Sequence, residues 1–523
     1  MRRSPRGAVR ARFAATLLGA AVSVAAAAAR ADDAAGAPQK PQKPFDAEIT
    51  SDTAAQFYEL RSPTGETVIA RRRLMTTLGV TVYELLERPR PGGPSLTFRA
   101  RMRYDGDYGG NAEETAVSSF GRLVPGFQRG PVDLMYGYVE GRRFLDGWLG
   151  FKVGRQYVTD ALGWWSFDGG LVRVTSPWYV AAEVYGGLEQ RGGMPLSTPR
   201  FERDGVWRAN RTGYDPTLWP SYQPSEIAPA YGAAIESAGF TWLHARASYR
   251  RVENTGTSNV TSFAQAAPAR AYEGSRVSQE RLGYAVDATA PDVGGIKAGL
   301  AYDLLVGRVS TVFASVDGFV SRRVTVGADY DYFVPTFDGD SIWNFFLAMP
   351  MNDVTLRSAW ETTDRLTLSG GLRGRAFGVQ TKADDGVPSS PNAGGNYYPT
   401  SGVDPMGGGN LGARYRIGEG AIGARGLADV ARSGDRIGFD VYGERTLETR
   451  YVLSGRAGVW HWEDDLRRER DATSFGYVAG AGYKLFPRSL VFAEFEHNMN
   501  RLAGQRVRVM LWLTIALSSR SGP

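Results

Sequence analysis

Arg506-Val507-Arg508-Val509-Met510-Leu511-Trp512-Leu513-Thr514-Ile515-Ala516-Leu517 decides the fold class. Successive side chains of a strand point to opposite faces. Val507, Val509, Leu511, Leu513, Ile515 and Leu517 therefore share one face, and Arg506, Arg508, Met510, Trp512, Thr514 and Ala516 share the other. The same two-faced text recurs upstream. Phe98, Ala100, Met102 and Tyr104 oppose Arg99, Arg101, Arg103 and Asp105. Leu366, Leu368, Gly370, Leu372 and Ala376 oppose Thr367, Ser369, Gly371, Arg373 and Arg375. Val324, Val326, Ala328, Tyr330 and Tyr332 oppose Thr325, Gly327, Asp329 and Asp331; Ile296, Ala298, Leu300 and Tyr302 oppose Lys297, Gly299, Ala301 and Asp303.

A soluble sandwich also alternates, so three further features separate the readings. The polar face carries ionised Arg and Asp, as a wet lumen allows and a dry core does not. Aromatic residues cluster near segment ends, among them Tyr136, Tyr138, Tyr157, Trp164, Trp165, Trp178, Tyr179, Trp460, Trp462, Tyr477 and Tyr483, as interfacial girdles require. Connection lengths segregate by parity. Short ones fall at even positions: Arg88–Pro94, Leu145–Gly147, Thr175–Pro177, Ser237–Gly239, Pro291–Gly295, Thr362–Asp364, Gly418–Gly420 and Phe486–Arg488. Long ones fall at odd positions: Tyr108–Gly130, Arg191–Pro229, Glu253–Ser275, Pro335–Asn352 and Gln380–Gly408. The reading is an all-β fold: a single large antiparallel transmembrane β-barrel of about 22 strands (range ~18–26), with short periplasmic turns and long extracellular loops.

The N-terminus carries an export signal. Arg2, Arg3, Arg6, Arg10 and Arg12 precede an apolar run from Phe13 to Ala29, and Ala29-Arg30-Ala31 is a small-x-small cleavage site. The expected organisation is a signal peptide over 1–31, a flexible periplasmic lead-in over 32–45, the barrel over 46–518 and a short tail over 519–523. The net charge of +6 comes from the signal: removing its six arginines leaves 55 basic residues against 55 acidic. A nucleic-acid partner loses its support with that charge. The expected partners are outer-membrane lipid and the barrel-insertion machinery.

Composition excludes much chemistry. Cysteine is absent and only three histidines occur, His244, His461 and His497. Disulfides, thiolate chemistry and covalent haem attachment are therefore impossible on this chain. His461 lies between Trp460 and Trp462 and reads as an interfacial residue; His244 lies beside Arg246, His497 closes a strand before Asn498, and neither reads as a catalytic base. Asp338-Gly339-Asp340 lacks the ligand spacing of a calcium loop and reads as a turn. Gly407-Gly408-Gly409 falls in a Gly-rich stretch, Ala383–Gly409, that reads as an extracellular loop. No catalytic, cofactor or metal site is expected, and no enzyme activity.

One constellation bears on function. Arg99, Arg101 and Arg103 project to one side of one strand, as do Arg373 with Arg375 and Arg506 with Arg508. On the lipid face each would cost about 2–4 kcal/mol, so all seven should face the lumen. They read either as a basic strip that selects anions or docks an acidic partner, or as members of pairs with Asp105, Asp303, Asp329, Asp331, Asp440 and Glu444.

Gly154-Arg155-Gln156 followed by Phe167-Asp168-Gly169-Gly170 resembles stretches of several bacterial outer-membrane porin families. Tyr330–Phe346 is similar to a strand and loop of barrels that sheathe multihaem cytochromes in porin–cytochrome electron conduits. The chain departs from the porin pattern in running past Leu517 to Pro523 rather than ending on an aromatic residue. The second resemblance implies a multihaem c-type cytochrome in the lumen. A barrel of ~22 strands is usually plugged, and no spare plug domain is visible. The expectation is thus a sheath for electron transfer across the outer membrane. The alternatives are a general or anion-preferring diffusion porin constricted by its own loops, and a surface adhesin or scaffold.

Overall fold

The computed structural model describes residues 46–86, 92–107, 132–189, 228–254, 275–336, 349–378, 403–431, 434–465 and 467–519. The signal and lead-in lie outside them. The strands are β1 (Asp46–Arg61), β2 (Thr67–Tyr83), β3 (Ser95–Asp107), β4 (Val132–Phe144), β5 (Leu149–Asp160), β6 (Gly163–Thr175), β7 (Val180–Glu189), β8 (Pro229–Ser237), β9 (Leu243–Asn254), β10 (Arg276–Ala290) and β11 (Gly294–Asp303). They continue as β12 (Arg308–Ser321), β13 (Val324–Phe333), β14 (Met351–Glu361), β15 (Leu366–Gly378), β16 (Val403–Arg416), β17 (Gly420–Ala431), β18 (Gly434–Leu447), β19 (Tyr451–Glu463), β20 (Ala472–Phe486), β21 (Ser489–Asn500) and β22 (Gly504–Ser518).

Each strand pairs antiparallel with its sequence neighbour, and β22 returns to β1, so the 22-stranded sheet closes on itself. Closure gives every strand a partner on both sides, which is the condition for a sheet to cross lipid. The seam is continuous from Glu48↔Ser518 to Arg61↔Gln505, and Ser519 N–H donates to the Ala47 carbonyl at 2.9 Å below it.

The alternation decides which side of the wall each residue takes. Val184, Ile235, Leu372 and Leu411 point outward and are 61–75% exposed. A belt of such residues surrounds the barrel and is stable only against acyl chains. Inward positions carry Asp303, Asp353, Asp440 and Glu496, whose side chains are almost fully covered by partners. At the end holding both termini the turns are tight. Leu145, Asp146, Asp292, Glu448 and Thr449 adopt left-handed φ of 49–64°, the conformation that two-residue hairpins need.

One loop boundary is corrected. Of the Gly-rich stretch Ala383–Gly409, residues 403–409 belong to β16 and are part of the wall. Gly407, Gly408 and Gly409 carry no side chain, so they write no alternation into the sequence. Their role lies in packing: a Cβ at Gly408 would lie 2.7 Å from the Ala428 carbonyl, and one at Gly409 would lie 2.9 Å from the Gly371 carbonyl. The rest of that stretch lies outside the described residues.

Candidate functional site: the bore and its inward hairpin

The β5–β6 hairpin leaves the wall. Its pairing with β4 stops at Gly137↔Arg155 although β4 continues to Val132, while β5 and β6 stay paired to Asp160↔Gly163. The crease runs through three glycines. Gly154 has φ +126°, a conformation other residues avoid, and a Cβ there would lie 2.9 Å from Tyr138 Cα. Gly169 and Gly187 face each other across β6 and β7, and a Cβ on either would lie 2.7 Å from the other's Cα. No side chain fits between these backbones, and the sheet folds inward there.

Past the crease, one face of the hairpin packs onto the inner surface of β7–β9. Val158, Trp165, Phe167 and Leu171 form a buried cluster with Tyr185, Ala230 and Val252. Trp165 and Phe167 stack with centroids 4.4 Å apart, and Trp165 Nε1 donates to Glu189 at 3.0 Å. Burial of several large side chains at about 1.5–3 kcal/mol each offsets the backbone bonds lost to β4. The tip reaches β10. Arg250 Nη2 on β9 donates to the Leu162 carbonyl at 2.9 Å, and Gly283 on β10 leaves room for Ala161 and Leu162. Inner positions under the hairpin are sealed: Tyr185, Ala230, Arg250 and Val252 are 1–3% exposed.

The opposite wall is different. The inner arginines of β17–β19, Arg425, Arg436 and Arg456, keep 49–51% of their side-chain surface exposed. Asp440 accepts from both Arg425 (3.2 Å) and Arg456 (3.0 Å). Asp353 likewise accepts from Arg373 (2.9 Å) and Arg375 (2.6 Å). Arg357 bridges Asp329 (2.7 Å) and Asp317. Nearer the hairpin, Arg173, Glu183, Arg246 and Glu236 close a ring of alternating charge, with Arg173–Glu183 at 2.8 Å and Arg246–Glu183 at 2.6 Å.

Of the seven arginines expected in the lumen strip, Arg373 and Arg375 meet at Asp353. Arg506 pairs with Glu496, and Arg508 with Glu494 (3.1 Å) and Glu496. Arg101 reaches Asp52. Arg103 is 2% exposed, and no ion pair forms at Arg99 among the described residues. The three clusters lie on β3, β15 and β22, so they do not form one strip. Among the expected partners, Asp303 takes Arg281 and Glu444 takes Arg414 (3.1 Å), while the side chain of Asp105 lies outside the described residues.

His461 faces outward and hydrogen-bonds with Thr473 (2.9 Å) and Glu463 (3.2 Å). His497 also faces outward, beside Tyr477 and Phe495. His244 lies inward in register with Asp287. Among the described residues no group of three or more His, Asp or Glu side chains could hold a metal ion. Asp338-Gly339-Asp340 and most of Arg191–Pro229 lie outside the described residues.

No protein-family model and no curated protein matches the chain. Solved structures of outer-membrane proteins are similar in architecture. A BenF-like porin from Pseudomonas fluorescens Pf-5 is 9% identical at a TM-score of 0.42, covering 91% of this chain and 98% of that one. The outer membrane protein opdK from Pseudomonas aeruginosa is 10% identical at 0.40, covering 90% and 99%. Acinetobacter baumannii OccAB4 is 7% identical at 0.41, covering 92% and 100%.

The expectation of a sheath around a multihaem cytochrome is corrected: the neighbours named are a porin and other outer-membrane proteins, which favour the alternative of a diffusion porin. The stretch that suggested the sheath contributes only Tyr330–Phe333 to β13, and 337–348 lie outside the described residues. A bore without a plug domain leaves two expectations, inward-folding loops or a separate chain, and the chain lays its own hairpin against β7–β10. Sequence reasoning missed this hairpin, although Gly154-Arg155-Gln156 and Phe167-Asp168-Gly169-Gly170 mark its crease.

Proposed function

We propose that the protein is an outer-membrane diffusion channel, narrowed by its own β5–β6 hairpin and preferring anions. One observation carries this reading. Tyr185, Ala230, Arg250 and Val252 are sealed beneath the hairpin, while Arg425, Arg436 and Arg456 across the bore stay half exposed to water. Two arginines share Asp440, so positive charge exceeds negative at that point. Charged rings in a low-dielectric wall concentrate the opposite ion. The export signal read over 1–31 supports delivery to that membrane.

Purified protein in a planar bilayer tests the proposal. Discrete conductance steps and a reversal potential favouring chloride over potassium are expected. Arg425→Glu with Arg456→Glu should move the reversal potential toward potassium. Absence of steps, or a wild-type preference for potassium, overturns the reading.

A further inference from the structure

The crease has a second consequence, on the side of the hairpin that turns away from β7–β9. The β4–β5 ladder ends at Gly137↔Arg155, although β4 continues to Val132 and β5 to Asp160. The apolar belt continues past this break: Leu134 on β4 and its register partner Met102 on β3 both point outward and are 37% and 45% exposed. Among the described residues the wall is therefore interrupted at the depth of acyl chains, where an open strand edge is costly. Arg155 partly mends the edge. Its Nη1 donates to the Leu134 carbonyl at 2.9 Å, while Asp168 holds its Nε and Nη2 at 2.7 and 2.8 Å. A guanidinium and its counter-ion thus stand where the ladder stops.

The rings at the break link the two sides of the wall. Val153, Arg155 and Tyr157 share one face of β5, and Val153 is 58% exposed toward lipid. Tyr157, 40% exposed, lies 5.9 Å from Tyr136, which points inward from β4 in register with Arg101. Tyr136 in turn lies 5.9 Å from Tyr138, and Tyr157 lies 6.0 Å from Trp164. One face therefore begins in the lipid belt at Val153 and ends among lumen residues. At the inner end stands Arg99, in register with Tyr138 and with no ion pair among the described residues.

We infer that the break between β4 and β5 is a lateral port joining the bore to the bilayer, and that it passes small amphipathic molecules with an apolar body and an anionic head. The ring series receives the apolar body, and Arg99 receives the head. A purely polar solute has no reason to enter it, since its mouth is lined by Leu134, Val153 and Tyr157. The port does not depend on ion conduction through the bore.

Because the chain has no cysteine, single cysteines labelled with a bimane fluorophore report each environment. Tyr157→Cys and Thr159→Cys probe the port, Leu411→Cys the lipid face and Ser369→Cys the lumen. Proteoliposomes of dibrominated phosphatidylcholine supply a quencher in the acyl layer, and iodide supplies one in water. The expected result is quenching of a port label by both. Leu411→Cys should respond to brominated lipid and Ser369→Cys to iodide. Port labels that ignore brominated lipid, as Ser369→Cys does, overturn the port. Dodecanoate should shift the fluorescence at position 157, and Arg99→Gln should raise its half-saturating concentration about tenfold, as loss of one charge-assisted contact predicts. An equal response to acetate, or none to dodecanoate, overturns the assigned solute class. Missing conductance steps would remove the channel reading and leave the port standing.

Discussion

Arg250 and Leu162 are 88 residues apart, and the guanidinium of the first donates to the main-chain carbonyl of the second at 2.9 Å. Arg250 is 3% exposed and forms no ion pair among the described residues; Gln279 Oε1 at 3.2 Å and the Trp165 ring at 5.5 Å complete its surroundings. A buried cation held by a carbonyl is held only while that carbonyl stays in place. The contact therefore couples the hairpin tip to the wall of β9.

Loss of the clasp should free the tip. Arg250→Ala removes a buried charge-assisted bond worth about 1.5–3 kcal/mol, and single channels should become larger and noisier. The converse variant joins Ala161→Cys to Gly283→Cys. A Cβ at Gly283 would lie 3.2 Å from Ala161 Cβ, a few tenths short of the ~3.8 Å usual in a disulfide. Oxidation should quiet the channel, and reduction should restore its noise. Identical recordings in both redox states would show that the hairpin does not move.

The glycine crease should tolerate no side chain. Gly187→Val places a Cβ 2.7 Å from Gly169 Cα, so β6 and β7 must separate or the hairpin must stand upright in the wall. Overpacking of this kind costs about 1–3 kcal/mol. A lower unfolding temperature on gels, together with a larger conductance, is expected. An unchanged channel would mean that the crease does not set the bore.

The two faces of the wall should respond unequally. Leu411, 75% exposed on the outside, should resist Leu411→Arg by about 2–4 kcal/mol at mid-depth, seen as reduced insertion into outer membranes. Arg508→Leu breaks the contacts with Glu494 and Glu496 inside; it should insert better than Leu411→Arg and alter ion selectivity. Equal insertion of the two variants would contradict the facing.

Orientation can be read on whole cells. Val293→Cys lies in the tight β10–β11 turn, at the end of the barrel that holds both termini, whereas Thr64→Cys lies between β1 and β2 at the opposite end. An impermeant thiol reagent should label Thr64→Cys and spare Val293→Cys. The reverse pattern would invert the barrel in the membrane.

The wall was legible from the chain because alternation is a local property. Val507 through Leu517 and Arg506 through Ala516 separate by sequence parity alone, and the structure keeps that separation on every strand so read. Glycines were the weak point. Residues 403–409 form wall and not loop, since glycine writes no hydropathy into the pattern.

The sequence by itself determined an antiparallel barrel of about 22 strands and, on the strands that alternate clearly, the side of the wall that each residue takes. A period of two, a lipid exterior and a wet interior leave no other arrangement of those faces. Only the tertiary structure decided what occupies the bore. Gly154, Gly169 and Gly187 make a crease because β5, β6 and β7 lie side by side, and Arg250 closes it because the tip lands on β9 and β10. Those meetings depend on distances between strands far apart in sequence. Alternation fixes the direction of a side chain, and it carries no information about which distant backbone that side chain will meet.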